Sequence, residues 1–281
     1  MSLQPNKPNQ ESGIAAILLV LAIMALLSTV IALAVAHQDL DSHASLQHDQ
    51  LVYLQRAQKS LRHWYVSNAG AFDAGGAGST SPWNASQILA MSGAQVRWNA
   101  TLFVSGEQCM AAAQGNICYH TLWFAVPDVA GPAPSLNGNN FNPGNAQYVS
   151  VSGERIESAL YNRSMGQLNN MAATLQAAYN SYSQSSAIHN SNIDWFAPSG
   201  CTPSGSGPFQ CSNGGYIDLS QFLSGSGIAS RFNGANAWGL PVLANNSGNP
   251  ANDVASPFTM ILQSPLPWMG ETLQATIVQP L

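Results

Sequence analysis

The sequence predicts an α+β fold, in which a long N-terminal helix packs on a small antiparallel sheet and a second, related α+β unit follows. Three observations support this fold class. Residues 14–69 contain neither Gly nor Pro, although the 281-residue chain has 24 Gly and 16 Pro. Short runs with strand-like alternation follow this stretch. Finally, a segment of the first half recurs in the second half.

Residues 14–36 form the first part of the uninterrupted stretch and are uncharged and almost wholly apolar. As a helix they would extend ~34 Å, which is enough to cross a bilayer. We therefore expect a transmembrane helix. Lys7 precedes it while Asp39 and Asp41 follow it, which favours an N-terminus inside and the remaining chain outside.

A signal peptide is the alternative interpretation of the same residues. Ala34-Val35-Ala36 before His37 fits a small-x-small cleavage site. Cleavage after Ala36 would release a secreted or periplasmic binding protein with two modules. Against this, apolar residues continue at three- and four-residue steps beyond His37, so the cut would fall within a helix.

The rest of the chain divides into predicted elements separated by Gly-, Pro- and Asn-rich loops. We expect a short helix over 82–91 and a second long helix from Glu154. Its apolar face includes Leu168, Leu175 and Tyr179. The predicted strands span 96–104, 119–126, 148–151, 241–244, 258–262 and 273–278.

The four cysteines occur as two close pairs, Cys109 with Cys118 and Cys201 with Cys211. Each pair encloses a turn sequence, so two local disulfides are the simplest interpretation, and they imply an oxidising compartment. A zinc site made by all four cysteines is the competing possibility. It normally requires CxxC spacing, which the sequence lacks.

The two halves of the chain match in sequence. Gln87-Ile-Leu-Ala-Met-Ser-Gly-Ala-Gln-Val-Arg-Trp-Asn aligns without a gap on Gln221-Phe-Leu-Ser-Gly-Ser-Gly-Ile-Ala-Ser-Arg-Phe-Asn. Upstream and downstream segments align as well. The pattern indicates a duplicated α+β unit, with units at 37–152 and 153–281 after a leader at 1–13 and the apolar helix at 14–36. The matching pairs are Leu54 with Leu168, Leu61 with Leu175, Tyr65 with Tyr179, and the segment from Cys118 with that from Ser256.

The chain resembles the type IV pilins and type II secretion pseudopilins. The resemblance rests on a short polar leader that ends in Gly13, the apolar run from Ile14, and a helix that continues beyond it. The segment Ala237-Trp238-Gly239-Leu240-Pro241-Val242 is also similar to a turn of many pseudopilin-like proteins. The resemblance implies cleavage between Gly13 and Ile14 by a prepilin peptidase. The assembly helix would then include Leu18, Leu19, Leu21, Leu26 and Leu27.

Leu18 departs from the family pattern, because most pilins have Glu at the fifth position of the mature helix. In the family this Glu meets the N-terminal amine of a neighbouring subunit. Subunits without it are minor ones at or near the filament tip. The resemblance thus implies a minor pilin or pseudopilin acting in assembly initiation, tip capping or adhesion. Its partners would be other pilin subunits, the inner membrane, the prepilin peptidase and a surface receptor or glycan.

No constellation in the sequence favours an enzyme, a metal site or a cofactor. His37, His43 and His48 lack the spacing of a metal site and are interleaved with Asp at the membrane edge. Of the remaining candidates, the histidines are expected to be isolated, the arginines to satisfy local acceptors, and most tryptophans to pack in the core. They are His63, His120, His189, Arg97, Arg231, Trp83, Trp98, Trp123, Trp195, Trp238 and Trp268.

Composition argues against a nucleic-acid partner. Only 7% of the residues are charged, and the net charge is -5 with eight Lys and Arg. Nucleic-acid binding requires a row of cations to neutralise phosphates. We therefore expect none.

Overall fold

The computed structural model describes residues 10–128, 131–185, 193–197, 201, 207–246, 257–268 and 270–279. Within these ranges, residues 10–18 and 35–44 are described as backbone only. The chain forms two compact units, Met1–Tyr53 and Leu54–Leu281. It is α+β, with an N-terminal helix and antiparallel sheets, as the sequence predicts.

Helix α1, Gln10–Phe72, is a single helix of 63 residues. It extends the predicted Gly- and Pro-free helix by one turn at either end. In the first unit the large apolar side chains between Leu19 and Leu33 are 48–67% exposed. In the part of the chain that the structure describes, no helix is both long enough and apolar enough to cross a membrane.

The first half of the second unit, residues 54–152, contains a three-stranded antiparallel sheet with the order β1-β4-β7. Two further two-stranded hairpins, β2–β3 and β5–β6, belong to the same half. The elements are α2 (Ala85–Ser92), β1 (Thr101–Val104), β2 (Gln108–Ala111), β3 (Asn116–Tyr119), β4 (Thr121–Val126), β5 (Ser135–Asn137), β6 (Asn140–Asn142) and β7 (Gln147–Ser152).

The second half, residues 153–279, begins with a long helix that packs on a four-stranded antiparallel sheet. The sheet has the order β11-β10-β9-β8. The helix is unbroken despite Gly166 in its middle. The elements are α3 (Gly153–Ser185), β8 (Ile217–Asp218), α4 (Leu219–Phe222), a 3₁₀ turn (Ala229–Arg231), β9 (Leu243–Asn245), β10 (Thr259–Pro265) and β11 (Thr272–Val278).

The predicted apolar faces of the two long helices are buried. In α1, Leu61 is 1% exposed and Tyr65 is fully buried. In α3, Leu175 is fully buried and Tyr179 is 9% exposed. These positions recur at helical spacing, so each helix presents one apolar stripe to a core. The sequence prediction is confirmed at these four positions.

The central strands of the two sheets have the same burial pattern. Thr121 and Thr259, which the sequence alignment matches, begin β4 and β10 respectively. In each strand the first and third residues are half-buried, and the second and fourth are fully buried. Each strand pairs antiparallel with one strand that precedes it in the chain and one that follows it.

The turns that follow the short helices α2 and α4 also share their hydrogen bonds. Ser92 Oγ donates to the carbonyl of Leu89 at 3.1 Å, and Ser226 Oγ donates to the carbonyl of Leu223 at 2.6 Å. The residue after each serine is a glycine with positive φ, 69° and 73°. The next amide donates back to the serine Oγ at 3.3 and 3.4 Å. The aligned sequences thus form the same local structure.

Two predicted elements differ from the observed ones. The strand predicted from Val96 begins only at Thr101, because Trp98 and Asn99 have positive φ of 49° and 55° and form a turn. The predicted loop at 127–144 contains the β5–β6 hairpin, whose turn includes Gly138 with φ of 59°. In both places a turn residue decides the structure over a short segment.

The two glycines of α3 provide a test of the packing between the halves. A Cβ at Gly153 would overlap the Tyr65 hydroxyl and the His120 carbonyl oxygen, whereas a Cβ at Gly166 would meet open space. We predict that Gly153→Ala lowers the free energy of unfolding by about 2–3 kcal/mol through overpacking. Gly166→Ala should raise it by about 0.5–1 kcal/mol. Urea unfolding of the two variants measures both values, and equal effects would contradict the packing described.

Candidate functional site

The predicted processing and assembly residues lie on α1. Gly13, Ile14 and Leu18 have helical backbone, and the side chains of Ile14 and Leu18 lie outside the described residues. The leader at 1–9 and the side chains of His37 and His43 also lie outside them. The described members of the predicted assembly helix are Leu19, Leu21, Leu26 and Leu27, which are 63%, 57%, 67% and 55% exposed. They form part of an exposed apolar segment.

Both predicted disulfides are present, Cys109–Cys118 and Cys201–Cys211. The first links directly opposed residues of the β2–β3 hairpin. This hairpin docks on the second half, because the Tyr161 hydroxyl of α3 donates to the Gln114 carbonyl at 3.0 Å and accepts from the Gln114 amide at 2.8 Å. The first disulfide therefore ties together a hairpin that packs across the two halves.

A buried polar cluster lies where the ends of several elements meet, and we call it the junction cluster. Its members come from the last turns of α1, the residue beyond α1, the residue between β3 and β4, the first turn of α3, and the turn at 234–242. Four of its five members are fully buried. The cluster consists of Tyr65, Asp73, His120, Glu157 and Trp238.

Asp73 is the centre of the cluster. Its Oδ1 lies 2.6 Å from His120 Nδ1, and its Oδ2 accepts from the Tyr65 hydroxyl at 2.7 Å. A carboxylate only accepts, so His120 carries a proton on Nδ1. The Tyr65 hydroxyl in turn accepts from the His120 amide at 2.9 Å. The three residues thus hold the end of α1 against the start of β4.

Glu157 connects the cluster to the second half. Its Oε2 accepts from Trp238 Nε1 at 2.7 Å. Burial, and then the negative charge of Asp73, raise the pKa of Glu157 to about 10. Two carboxyl groups at close range do not both ionise in a dry site, so Glu157 is neutral at pH 7.

Burial and the nearby charge act on two further groups. Burial and then the charge of Asp73 raise the pKa of Tyr65 well above its usual range. Burial raises the pKa of Glu107 to about 7. Glu107 is only 2% exposed and neighbours the loop at Gly75. At a pH between the ordinary and the raised pKa of these groups, the folded protein therefore binds more protons than the unfolded chain does.

The turn at 234–242 places Trp238 in the cluster. Asn236 Oδ1 accepts from the amides of Trp238 and Leu240, both at 3.0 Å, and Gly239 has a φ of 81° that favours glycine. The side chain of Trp238 packs closely over Gly70 of α1 and edge-on against Trp268. The predicted pseudopilin-like segment thus contacts both long helices of the second unit.

The junction cluster lacks the features of an active site. His120 is fully buried, and its Nε2 has no hydrogen-bond partner among the described residues. A hydrolase triad would place a nucleophile there and open it to substrate. Within the described part of the chain, no group of three His, Cys, Asp or Glu is arranged to hold a metal. The arrangement keeps Glu157 protonated and fixes the chain segments that meet at the cluster.

The other candidate residues have different environments. His120 is not isolated as expected, because the fold brings it to Asp73, and this expectation was wrong. His48 and His63 are exposed, and His189 lies outside the described residues. Arg97 donates to Gln95 Oε1 at 3.2 Å.

The tryptophans divide between core and surface. Trp195 and Trp268 are buried, as expected for core residues, whereas Trp98 is 38% exposed. Trp83, Trp123 and Trp238 are half-buried. Trp64, which the sequence analysis did not single out, is 4% exposed and contacts Phe72 and Trp83. The sequence therefore predicted that tryptophans pack in the core, but it did not identify each buried tryptophan correctly.

No protein-family model, no curated protein and no solved structure matches this chain. The sequence analysis missed the junction cluster, whose two acidic residues and one histidine come from three separate segments. One signal was present, since Tyr65 aligns with Tyr179 at a position on the apolar face. A polar hydroxyl on that face predicts a buried hydrogen-bond partner.

We predict that Glu157 makes the protein less stable as the pH rises. Its folded pKa of about 10 lies above the ordinary value of 4.5, so its stabilising contribution is complete below 4.5 and is lost as the pH rises toward 10. Glu157→Gln should remove this loss and raise the free energy of unfolding at pH 8 by about 2–3 kcal/mol relative to wild type. Gln retains an oxygen acceptor for Trp238.

Urea unfolding of both proteins at pH 5 and pH 8 measures this effect. Glu154→Gln is the matched control, because Glu154 is exposed in the same first turn of α3. The control should leave the pH dependence unchanged. An equally steep loss of stability in Glu157→Gln and wild type would show that Glu157 is already ionised in the folded protein.

Proposed function

We propose that the chain is a membrane-anchored minor pilin or pseudopilin-like subunit of a bacterial type IV pilus or type II secretion filament. The observation that carries the proposal is the single helix α1, which is unbroken from Gln10 to Phe72. Its early part has exposed apolar side chains, and its late part contributes Leu61 and Tyr65 to a buried core. A subunit that assembles through one end of a helix and folds around the other end needs this combination.

The apolar part of the helix would have two successive environments. Before assembly, residues 14–36 would hold the protein in the inner membrane with residues 37–281 in the periplasm. In the filament, the same apolar surface would pack against the helices of other subunits. Exposed apolar patches of this size on soluble proteins normally mark an interaction surface. The two disulfides are consistent with an oxidising compartment.

A minor or tip position is favoured over that of a major subunit. Leu18 replaces the carboxylate that the resemblance leads one to expect, so this subunit would offer no partner to the terminal amine of the subunit ahead of it. The matched strands and turns of the two halves support a duplicated, pilin-like α+β unit. The activity would be assembly initiation, tip capping or adhesion without catalysis.

The second candidate is a secreted or periplasmic binding protein released after Ala36. It is supported by the small residues Ala34 and Ala36 before His37. The helical backbone of residues 35–44 weighs against it, because the cut would fall inside α1. Signal peptidase sites normally lie in extended chain beyond the apolar region.

We predict that the mature protein begins at Ile14 when the chain is expressed with a prepilin peptidase. Intact-mass measurement and N-terminal sequencing of the membrane fraction identify the first residue. Without the peptidase, the protein should retain the leader up to Gly13. A mature protein that begins at His37 would contradict the proposal and establish the binding-protein alternative.

Gly13→Leu provides the control for this experiment. A bulky residue at the cleavage position should block the cut after residue 13 without affecting a cut after Ala36. If processing is unchanged in Gly13→Leu, another peptidase is responsible. If the variant is retained uncut and no longer enters filaments, the assignment of Gly13 and Ile14 as the processing site is supported.

A further inference from the structure

The late part of α1 concentrates positive charge on its exposed side. Arg56, Lys59 and Arg62 are exposed, and they are three of the eight Lys and Arg residues of the chain. At about 100° per residue, these three residues and the exposed His63 occupy about 120° of the helix circumference. Leu61, on the opposite side, is 1% exposed. We call the side formed by Arg56, Lys59, Arg62 and His63 the cationic face.

No acidic residue of the neighbouring sequence neutralises the cationic face. The chain has no Asp or Glu at 50–72 or at 74–106, which include the late part of α1 and all of α2. Asp73, between these segments, is buried and bound to His120. None of Arg56, Lys59 and Arg62 forms a salt bridge with a described residue. In a chain of net charge -5, an uncompensated cationic face complements an anionic ligand.

An open cleft of about 410 Å³ adjoins the cationic face, between α1 and the end of α2. Lys59 and His63 line it and belong to both features. Met91, which is 48% exposed, lies on the α2 wall. The volume falls in the range of small-ligand sites. We call this the first cleft.

The polar groups of the first cleft are held as hydrogen-bond acceptors. Ser67 Oγ and Ser92 Oγ each donate to a backbone carbonyl three or four residues earlier, both at 3.1 Å. Asn68 Nδ2 donates to the Trp64 carbonyl at 2.8 Å. A hydroxyl whose proton is engaged can only accept a further hydrogen bond. The two serines and Asn68 Oδ1 therefore offer acceptors to a ligand.

Cations beside fixed acceptors favour a sugar acid among anionic ligands. A sugar acid has carboxylates for Lys59 and hydroxyls that can donate to Ser67 and Asn68. A phosphodiester has only acceptor oxygens, so the acceptors of the cleft would repel it. Trp64, which also lines the cleft, is 4% exposed and offers no face on which a nucleic-acid base could stack.

An acidic peptide fits the first cleft less well than a sugar acid does. Protein interfaces depend on large apolar or aromatic anchors that fill pockets. The exposed apolar side chain of this cleft is Met91, whereas the Trp64 ring is buried. The remaining lining is polar, which suits a ligand with many hydroxyls.

The corresponding cleft of the second half lacks Lys59 and His63. Its α3 residues align one for one with the α1 residues of the first cleft, and Ala173 and Ala177 take the positions of Lys59 and His63. Clefts at matching places follow from the matching elements of the two halves. The two basic residues are particular to the first cleft, so the repeated fold does not require them.

We propose that the first cleft and the cationic face together bind an acidic polysaccharide. One sugar ring would lie in the cleft, and carboxylates of this ring and its neighbours would contact Lys59, Arg56 and Arg62. Arg56 and Lys59 differ by about 4.5 Å along the helix axis, as do Lys59 and Arg62. This step is comparable to the length of one ring in a sugar chain.

This inference specifies the ligand of the adhesion activity, and in that respect it rests on the proposed function. The binding itself requires only the folded second unit. Processing after Gly13 and filament assembly are measured separately. A failure of one therefore does not resemble a failure of the other.

Calorimetric titration of the full chain in micelles of a neutral detergent with tetragalacturonic acid tests the proposal. The fully methyl-esterified tetrasaccharide is the comparison, because it keeps the rings and loses the charges. At low ionic strength we expect the acid to bind at least tenfold more tightly than the ester, since each exposed ion pair contributes up to about fivefold. High salt should remove most of this preference.

The double variant Arg56→Gln, Lys59→Gln should lose most of the preference for the acid. Ser67→Phe adds a ring to the cleft and leaves every charge in place, so it should weaken binding of the acid. All three positions are exposed, so thermal unfolding should match that of wild type.

The double variant Arg155→Gln, Arg163→Gln is the matched control. It removes the same charge from exposed positions of α3 that line neither cleft. It should bind both tetrasaccharides as wild type does.

Four results would overturn the proposal. The first is an absence of binding in wild type. The second is an equal loss of preference in both double variants, which would assign the effect to net charge. The third is unchanged binding in Ser67→Phe, which would exclude the cleft. The fourth is an acetylated tetraglutamate that binds as tightly as tetragalacturonic acid, which would make this a site for acidic peptides.

Discussion

The contact between Asp73 and His120 is the interaction on which the arrangement of the second unit depends. Both side chains are fully buried, and their separation of 2.6 Å leaves no room for water. Removing either partner would leave a polar group unpaired in a dry site, which is far more costly than the pair itself is stabilising. Asp73 follows α1 and His120 precedes β4, so the pair holds the end of α1 against the start of the central strand of the first sheet.

The junction cluster is connected to the second half by Glu157, which is a protonated carboxyl group and not a charged one. Because burial, and then the negative charge of Asp73, raise its pKa, Glu157 keeps its proton and accepts from Trp238 as a neutral group. Trp238 in turn packs over Gly70. One anion therefore organises α1, α3 and the turn at 234–242. On the proposed function, this would let a single helix serve both as an assembly element and as the frame of a folded domain.

The parts of the fold that the sequence predicts are those set by local periodicity and spacing. The helical stretch, the buried positions Leu61 and Leu175, and both disulfides depend on neighbours within a few turns or loops. The β5–β6 hairpin and the late start of β1 were missed, because single positive-φ residues decide them. Sequence periodicity does not register such residues.

The candidate sites were harder to foresee because their residues are distant in the chain. Asp73 and His120 are 47 positions apart, and Glu157 and Trp238 are 81 apart. The short segment at 193–197 likewise depends on Gln279, which holds Trp195 from 84 positions away. Pairings at these separations follow from the tertiary fold, so no motif spacing reveals them. The proposed function of the apolar segment of α1, in contrast, depends on one continuous run of residues, and such a run is visible in the sequence.

Native-state hydrogen exchange of the full chain tests the role of the Asp73 contact most directly. If the junction cluster couples the two halves, the slowest amides of β4 and β10 should open with the same free energy in wild type. In Asp73→Asn both strands should lose protection by the same amount. If β10 keeps its protection while β4 loses it, the two halves are independent and the central role of Asp73 is contradicted.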